Sequence, residues 1–285
     1  MLEFAPLHPL FAARISGLDL ARVSDADFAA VRDAFERYSV LVFPNQDIDD
    51  AAQIAFSERF GPLETTKTGT NGAGSKLVIL TNIGEDGRIV PPTDRQILNN
   101  KANQLWHADS SFKPIPARAS MLSAREIPRE GGNTEFVSMR AVHAELPEDL
   151  KRAIDGKIAI HDYAHSRAQV DPDLITDAER AAVPPVRQAM VLDGPFGRSL
   201  YIGSHTARIE GMDEAASRAL IDRLLAFATE PRFVYSHRWA RHDLVLWDNR
   251  AVIHRATPFR SADERRCMVR TTIAGDAPTV TAASG

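Results

Sequence analysis

Apolar positions along the chain follow helical spacing in four stretches. Ser24-Asp25-Ala26-Asp27 sets a capping hydroxyl three residues before an acid, and Phe28, Val31 and Phe35 follow at spacings of three and four. That pattern predicts an amphipathic helix. A second helix is expected from Asp49 to Phe60, with Ile54 turned inward and Gly61-Pro62 as its stop. A third is expected over Leu146 to Ile154, where Pro147 is tolerated in the first turn and Gly156 ends the run. The fourth covers Glu214 to Thr229, with Leu220, Leu224 and Phe227 on one stripe.

Elsewhere the apolar runs are short and bounded by turn residues. Phe4 to Leu20 lacks helical period and is expected to begin a sheet. Val40 to Phe43 predicts a buried strand ended by Pro44-Asn45, Lys76 to Leu80 a core strand, and Lys157 to Ile160 another strand. Gln188 to Asp193 and Ser199 to Gly203 flank Gly194-Pro195-Phe196-Gly197 as the arms of a hairpin. Further strands are expected at Phe233 to Trp239, Asp243 to Trp247, Ala251 to Arg255 and Cys267 to Ile273. Two polar stretches stand apart. Gly84 to Lys101 reads as a long loop of the kind that is functional or mobile. Asp171 to Val186, with four acids and three prolines, reads equally as a solvated loop or as a lid. Strands after turn signals in both halves predict an α+β protein, two sheets with helices packed outside, in one domain over residues 1–285.

Composition narrows the function classes. A hydrophobic fraction of 44% with 25% charged residues is that of a globular chain with a sizeable core. The formal net charge of −4 gives no field to gather nucleic acid or an anionic membrane, so an anionic ligand would have to be held by local arginines. The single cysteine, Cys267, excludes an intrachain disulfide, favours a reducing compartment and is expected to be a small buried hydrophobe. Met1-Leu2-Glu3-Phe4 opens no basic or apolar leader. A cytoplasmic protein acting on small molecules is the expectation, and a homo-oligomer is compatible with it.

The candidate chemistry centres on Trp106-His107-Ala108-Asp109. In an extended segment His107 and Asp109 project side by side, supplying one nitrogen and one oxygen to a metal. A lone His-x-Asp is weak, and a histidine taken singly is more often a surface or hydrogen-bonded core residue than a ligand. Its company changes that. Thr134 lies in Gly131-Gly132-Asn133-Thr134, His254 closes Trp247-Asp248-Asn249-Arg250-Ala251-Val252-Ile253-His254, and Arg265-Arg266-Cys267-Met268-Val269-Arg270 follows. Two histidines, a carboxylate, a hydroxyl and guanidinium groups are what a metal-chelating dicarboxylate requires.

These residues, with Gly17-Leu18-Asp19-Leu20, Phe60-Gly61-Pro62-Leu63 and Thr272-Ile273-Ala274-Gly275-Asp276, resemble the taurine dioxygenase and 2,4-dichlorophenoxyacetate dioxygenase family of Fe(II)- and 2-oxoglutarate-dependent oxygenases. Ala102 to His107 and Asp109-Ser110-Ser111-Phe112 are closer to the aryloxyacetate branch. The resemblance implies a double-stranded β-helix, or jelly roll, with flanking helices. It implies Fe(II) on His107, Asp109 and His254, 2-oxoglutarate and O₂ as cosubstrates, and Thr134 and Arg266 on the far carboxylate of 2-oxoglutarate.

Counting from His254 would favour Arg265, but aligning Arg-Arg-x-Met-x-Arg selects Arg266, places Met268 and Arg270 on the same face, and leaves Arg265 in solvent. Arg270 matches the family's arginine for the substrate's acidic group. Asn103, Ser166 and Arg167 fall where relatives line the substrate pocket, and Lys67 could add charge there, although such residues are more often turn, cap or solvated positions. Trp106 and Trp247 read first as core and second as cofactor wall, and an apolar substrate body is expected around Phe112 and Trp106. The implied reaction hydroxylates a small acid, an aryloxyalkanoate such as 2,4-dichlorophenoxyacetate, to a phenol and glyoxylate with release of succinate and CO₂. The alternatives are an alkylsulfonate dioxygenase, a catalytically silent jelly-roll binding protein, and a zinc hydrolase, which would leave Arg266 and Arg270 unexplained.

Overall fold

The computed structural model describes residues 2–66, 71–91 and 93–280. Seven strands form the large sheet, in the order Glu3–Pro6, Ala13–Ser16, Val40–Phe43, Leu244–Asp248, Ala119–Glu126, Cys267–Ile273 and Val78–Thr81. All neighbours are antiparallel except Ala13–Ser16 beside Val40–Phe43. A second sheet sets Thr134–Ser138 between Val234–His237 and Val252–Ala256. A third sets Ile158–His161 between Thr206–Ile209 and Val186–Ala189, and Val191–Leu192 pairs with Ser199–Leu200.

Alternation along the strands sorts side chains into layers. Leu41, Phe43, Met121, Leu244 and Leu246 leave one face of the large sheet and meet Val31 and Phe35 of the helix Asp25–Tyr38 and Phe56 of the helix Asp50–Glu58. Val42, Leu122, Val245, Trp247 and Met268 leave the other face and meet Phe136 and Val252 of the second sheet. Val40–Phe43 is therefore buried on both sides, which is why its sequence is a continuous apolar run rather than an alternating one. Val137 and Ile253, on the back of the second sheet, pack with Val142, Leu150, Ile221 and Leu224 of the helices beyond it. The architecture is α+β.

Most expected elements are present, with instructive exceptions. In the helix Asp50–Glu58 the buried residues are Gln53, Phe56 and Ser57, while Ile54 is half-exposed. Gln53 turns inward because its amide donates to the Val269 carbonyl at 2.9 Å, and Ser57 meets the Thr271 hydroxyl at 2.6 Å. In the helix Glu214–Ala228 the buried stripe is Ser217, Ile221, Leu224 and Ala228, with Leu220 and Phe227 on its flanks. Val78–Thr81 is not a core strand but a half-buried edge. Residues 84–101 are not loop throughout, since Arg95–Lys101 is helical. Within 171–186, Asp177–Ala182 is a short helix closed by a Thr176–Glu179 capping box. The expected hairpin arm Gln188 to Asp193 is divided: Val186–Ala189 pairs with Ile158–His161, and only Val191–Leu192 pairs with Ser199–Leu200. Cys267 is half-buried, and burial raises its thiol pKa. Among the described residues no helix is long and apolar enough to cross a membrane.

Candidate active site

Toward one end of the space between the two sheets, apolar packing gives way to polar groups. On the strand Val252–Ala256, His254 points the same way as the core residue Val252, and directly across the ladder it faces Phe136, with Thr134 two residues along on that face. From the large sheet Ser120, Trp247 and Arg270 project into the same region. His107 arrives from outside both sheets. It pairs with His254 through two backbone hydrogen bonds, N–H to carbonyl, of 3.0 and 2.8 Å. That bridge brings a residue 147 positions distant in sequence into ring contact, 4.2 Å between centroids.

His107, Asp109 and His254 are buried, and one donor atom from each lies within 4.8 Å of the others. The His107 Nε2 stands 3.8 Å from Asp109 Oδ1, and the His254 Nε2 stands 3.7 Å from Asp109 Oδ2. His107 turns its Nδ1 to the Leu105 carbonyl at 2.7 Å, which leaves Nε2 as the free lone pair. Burial lowers the pKa of both imidazoles and so favours the neutral, metal-binding form. Burial alone would raise the Asp109 pKa, but Arg270, His254 and His107 outweigh it and hold the carboxylate ionised.

Asp109 is oriented by a ring of side chains. Ser120 Oγ donates to Asp109 Oδ2 at 2.7 Å and accepts from Asn249 Nδ2 at 3.0 Å. Asn249 Oδ1 in turn accepts from the Asp109 backbone N–H at 3.0 Å and from the Trp247 indole at 3.1 Å. Arg270 Nη1 donates to the other oxygen, Oδ1, while its Nε has no partner among the described residues. Sequence reasoning missed Ser120 and Asn249, although Asn249 lies inside a segment it had singled out.

Two cavities meet at the triad, both touching His107, Asn103 and Arg270. The first holds about 120 Å³ and is lined by Thr134, Trp247, His254, Thr257 and Arg266. Arg266 is 9% exposed and makes no ion pair among the described residues; its only hydrogen bond from the side chain is a long one, 3.4 Å, from Nη2 to the Gly132 carbonyl. Burial without a counter-charge pushes its pKa down to about 10. The site is built to hold this residue. Asn82 accepts from the Arg266 N–H at 2.8 Å and donates to the Ser261 and Glu264 carbonyls, fixing the loop that leads to it. Gly132, at φ 65°, leaves space where a Cβ would stand 3.3 Å from Arg266 Nε. Arg265 points away and pairs with Glu126 at the surface. Asn82 and Thr257, whose hydroxyl has no partner among the described residues, were also missed.

The second cavity, about 250 Å³, is lined by Phe112, Tyr163, Arg167, Ser204 and His205. Phe112 packs at 4.7 Å from Tyr163 and 4.9 Å from His205, and Arg167 lies over Tyr163 at 4.5 Å. His205 is buried, its Nε2 has no partner among the described residues, and no sequence signal marked it. Ser166, expected here, is fully buried in the helix Tyr163–Ala168, donates to the Tyr163 carbonyl at 2.9 Å and lines neither cavity. Trp106 does not reach the cavities either: it packs against the core behind the second sheet, under Arg255 at 4.5 Å. Lys67 lies outside the described residues.

Known proteins are similar to this one over nearly the whole chain. A model of the family described as "Taurine catabolism dioxygenase TauD, TfdA family" matches residues 3–272. The 2,4-dichlorophenoxyacetate dioxygenase of Cupriavidus pinatubonensis, described as alpha-ketoglutarate-dependent, is 40% identical, over 94% of this chain and 96% of its own. The (S)-phenoxypropionate/alpha-ketoglutarate-dioxygenase of Sphingobium herbicidovorans is 35% identical, over 98% and 97%. The crystal structure of AAD-2 in complex with Mn(II) and N-oxalylglycine superposes with a TM-score of 0.91 at 38% identity, covering 99% of this chain and all of that one. With a triad that can hold a metal beside a buried, unpaired arginine, and with this likeness over nearly every residue, the chain belongs to the TauD, TfdA family of dioxygenases.

Proposed function

We propose that the protein is an Fe(II)- and 2-oxoglutarate-dependent dioxygenase that hydroxylates an aryloxyalkanoate, of the 2,4-dichlorophenoxyacetate kind, beside its ether oxygen and releases a phenol and glyoxylate. The observation that carries the reading is Arg266: a guanidinium buried without a counter-charge among the described residues, sharing a small cavity with His107 and His254, which with Asp109 could hold a metal. A buried cation of this kind is unfavourable unless an anion completes it. A five-carbon dicarboxylate that chelates the metal at one end would bring that anion at the other.

His107, Asp109 and His254 would hold the metal, and Arg266 and Thr134 the far carboxylate. When bound, Fe(II) and 2-oxoglutarate supply the activation of O₂, with 2-oxoglutarate leaving as succinate and CO₂. The chain's own part is to bind and orient. Arg270 keeps one donor on Asp109 and lines the second cavity, where it would meet the substrate's carboxylate, with Asn103 and Arg167 as further polar contacts. Phe112, Tyr163 and His205 offer ring faces to an aryl group, which favours an aromatic acid over taurine. The relatives named for aryloxyalkanoate substrates support the same choice.

The proposal extends to the frame: residues 1–285 as one dioxygenase domain of double-stranded β-helix (jelly-roll) type, working in the cytoplasm. The family match over residues 3–272 and the apolar core shared by the two sheets support the fold, and the single cysteine supports the compartment. The test is succinate release dependent on Fe(II) and 2-oxoglutarate, with phenol from phenoxyacetates compared with sulfite from taurine. Faster sulfite release overturns the substrate reading, and no succinate with any acid overturns the activity.

A further inference from the structure

Thr134 presents a hydroxyl to the first cavity, and what stands behind it decides which way that hydroxyl can act. The Trp239 indole donates Nε1–H to Thr134 Oγ1 at 3.0 Å. Both residues are buried, Trp239 at 8% and Thr134 at 3% exposure, and Trp239 itself does not line the cavity. An indole nitrogen can only donate, whereas a hydroxyl has one proton to give and two lone pairs to receive. With the bond from Trp239 taken on a lone pair, the Thr134 proton has no acceptor among the described residues. It is left to point into the space shared with Arg266.

Trp239 is held in that pose by its own surroundings. The His237 ring meets it edge-on at 4.6 Å and 86°, and His237 stands directly across the ladder from Thr134. The His237 ring is held at Nδ1 by a hydrogen bond with the Tyr235 hydroxyl at 3.1 Å, and Asp243 Oδ2 stands 3.2 Å from its Nε2. Trp239, two residues beyond the strand Val234–His237, thus reaches the cavity's hydroxyl from behind through one hydrogen bond.

We infer that Trp239 is a positioning residue that fixes Thr134 as a hydrogen-bond donor and so tunes the first cavity for an acceptor-only group, the far carboxylate of 2-oxoglutarate. This rests on the proposed reading of that cavity. The removal of a neutral donor behind the hydroxyl frees the hydroxyl to rotate away or to seek an internal partner, and part of the ligand's hydrogen bond is lost.

The test uses Fe(II)-loaded protein under anaerobic conditions, with 2-oxoglutarate binding measured by calorimetry and 2-oxopentanoate, which lacks the far carboxylate, as the comparison ligand. Trp239→Phe should weaken 2-oxoglutarate about fivefold and leave 2-oxopentanoate unchanged. In a Thr134→Val background the same change should have no further effect, whereas in Thr134→Ser, which keeps an oxygen for the indole, the loss should persist. Equal binding of the two ligands by the native protein would overturn the reading of the cavity, and this inference with it. A native preference for 2-oxoglutarate that Trp239→Phe leaves intact, or a loss of the same size in Thr134→Val, would overturn the role of Trp239 alone. Without altering Trp239, its indole N–H resonance should move when Thr134→Val removes the acceptor; an unmoved resonance would also overturn that role.

Discussion

The two cavities that meet at the triad are built by different means. The first takes four of its lining side chains around the triad from strands: Thr134, Trp247, His254 and Arg270 each owe their direction to alternation in a ladder, and the helical segment before His107 and the loop before Arg266 complete the wall. The second adds to strand residues such as Arg270 and Thr272 a wall made of a turn, a short helix and a loop: Phe112 lies in the turn that begins at Asp109, Tyr163 and Arg167 lie on the helix Tyr163–Ala168, and His205 stands just before the strand Thr206–Ile209. A wall set by sheet register holds the same geometry whatever the adjoining loops do. A wall set by loops can be altered one residue at a time, which suits the half of an active site that must distinguish one acid from another.

The sharpest way to break this picture is at the seam. His107→Ala, Asp109→Ala and His254→Ala should each abolish Fe(II)-dependent succinate formation, because a three-point site that loses an arm holds its metal poorly. Activity measured at limiting Fe(II) decides it, and near-native turnover by any one variant would remove that residue from the set. Ser120→Ala should act in the same direction but more weakly, since it leaves Asp109 in place with one oxygen less restrained.

Next in size is the strand-built side. Arg266→Ala should raise the requirement for 2-oxoglutarate by roughly 2 to 4 kcal/mol, the scale of a lost buried charge-assisted contact. Arg265→Ala should change it little, because that guanidinium spends its donors on Glu126 and the Gly87 carbonyl at the surface. Titration with 2-oxoglutarate at saturating Fe(II) separates the two, and the reverse order would move the cofactor anchor to Arg265.

This contrast also explains what could be read from the chain. His254, Thr134 and Arg270 take their faces from strand parity, whereas His107 and Asp109 lie outside the strands, and they and Arg266 were singled out by motif and family resemblance. Two strands, Val40–Phe43 and Cys267–Ile273, are bounded as expected, while most others differ at their ends. What failed depended on partners remote in sequence. Gln53 displaced Ile54 from the buried face only because the Val269 carbonyl awaited it, 216 residues away. Asn249 and Ser120 are marked by nothing local, and their role exists only once Asp109 is folded between them. His205 and Asn82 belong to segments whose periodicity is weak, so their direction had no rule to follow. Ser166 was placed by likeness alone, and the helix it sits in turned it to its own backbone.

Behind the loop-built wall lies a buried histidine whose titration should set its acid stability. His161, 1% exposed and stacked on Tyr201 at 5.6 Å, has its pKa pushed down to about 3 by burial. Between that value and the ordinary histidine value near 6.5, the unfolded chain binds a proton that the folded chain refuses. Stability should therefore fall as pH falls through this window, by about 2 kcal/mol at pH 5. His161→Phe keeps the stacking and removes the titration. Denaturation measured from pH 7 to pH 4.5 should show a shallower acid slope in the variant, whatever its absolute stability, and an unchanged slope would assign the acid sensitivity to other groups.

The smallest effect tests the division of labour itself. Phe112 contributes a ring face to the second cavity without touching the first, and it is held by Tyr163 and His205 rather than by a strand ladder. Phe112→Leu keeps an apolar side chain of similar reach but removes the aromatic contact, which is worth about 0.5 to 1.5 kcal/mol beyond the area it buries. The KM for a phenoxyacetate should rise roughly two- to tenfold on that scale. The KM for 2-oxoglutarate should stay where it was, because Arg266 and Thr134 are fixed by the sheets and by the Asn82-clamped loop. Steady-state titration of each substrate at saturation of the other gives both numbers from one preparation. If both constants moved together, the two walls would be coupled through the triad rather than independently built, and the comparison drawn between them would have to be abandoned.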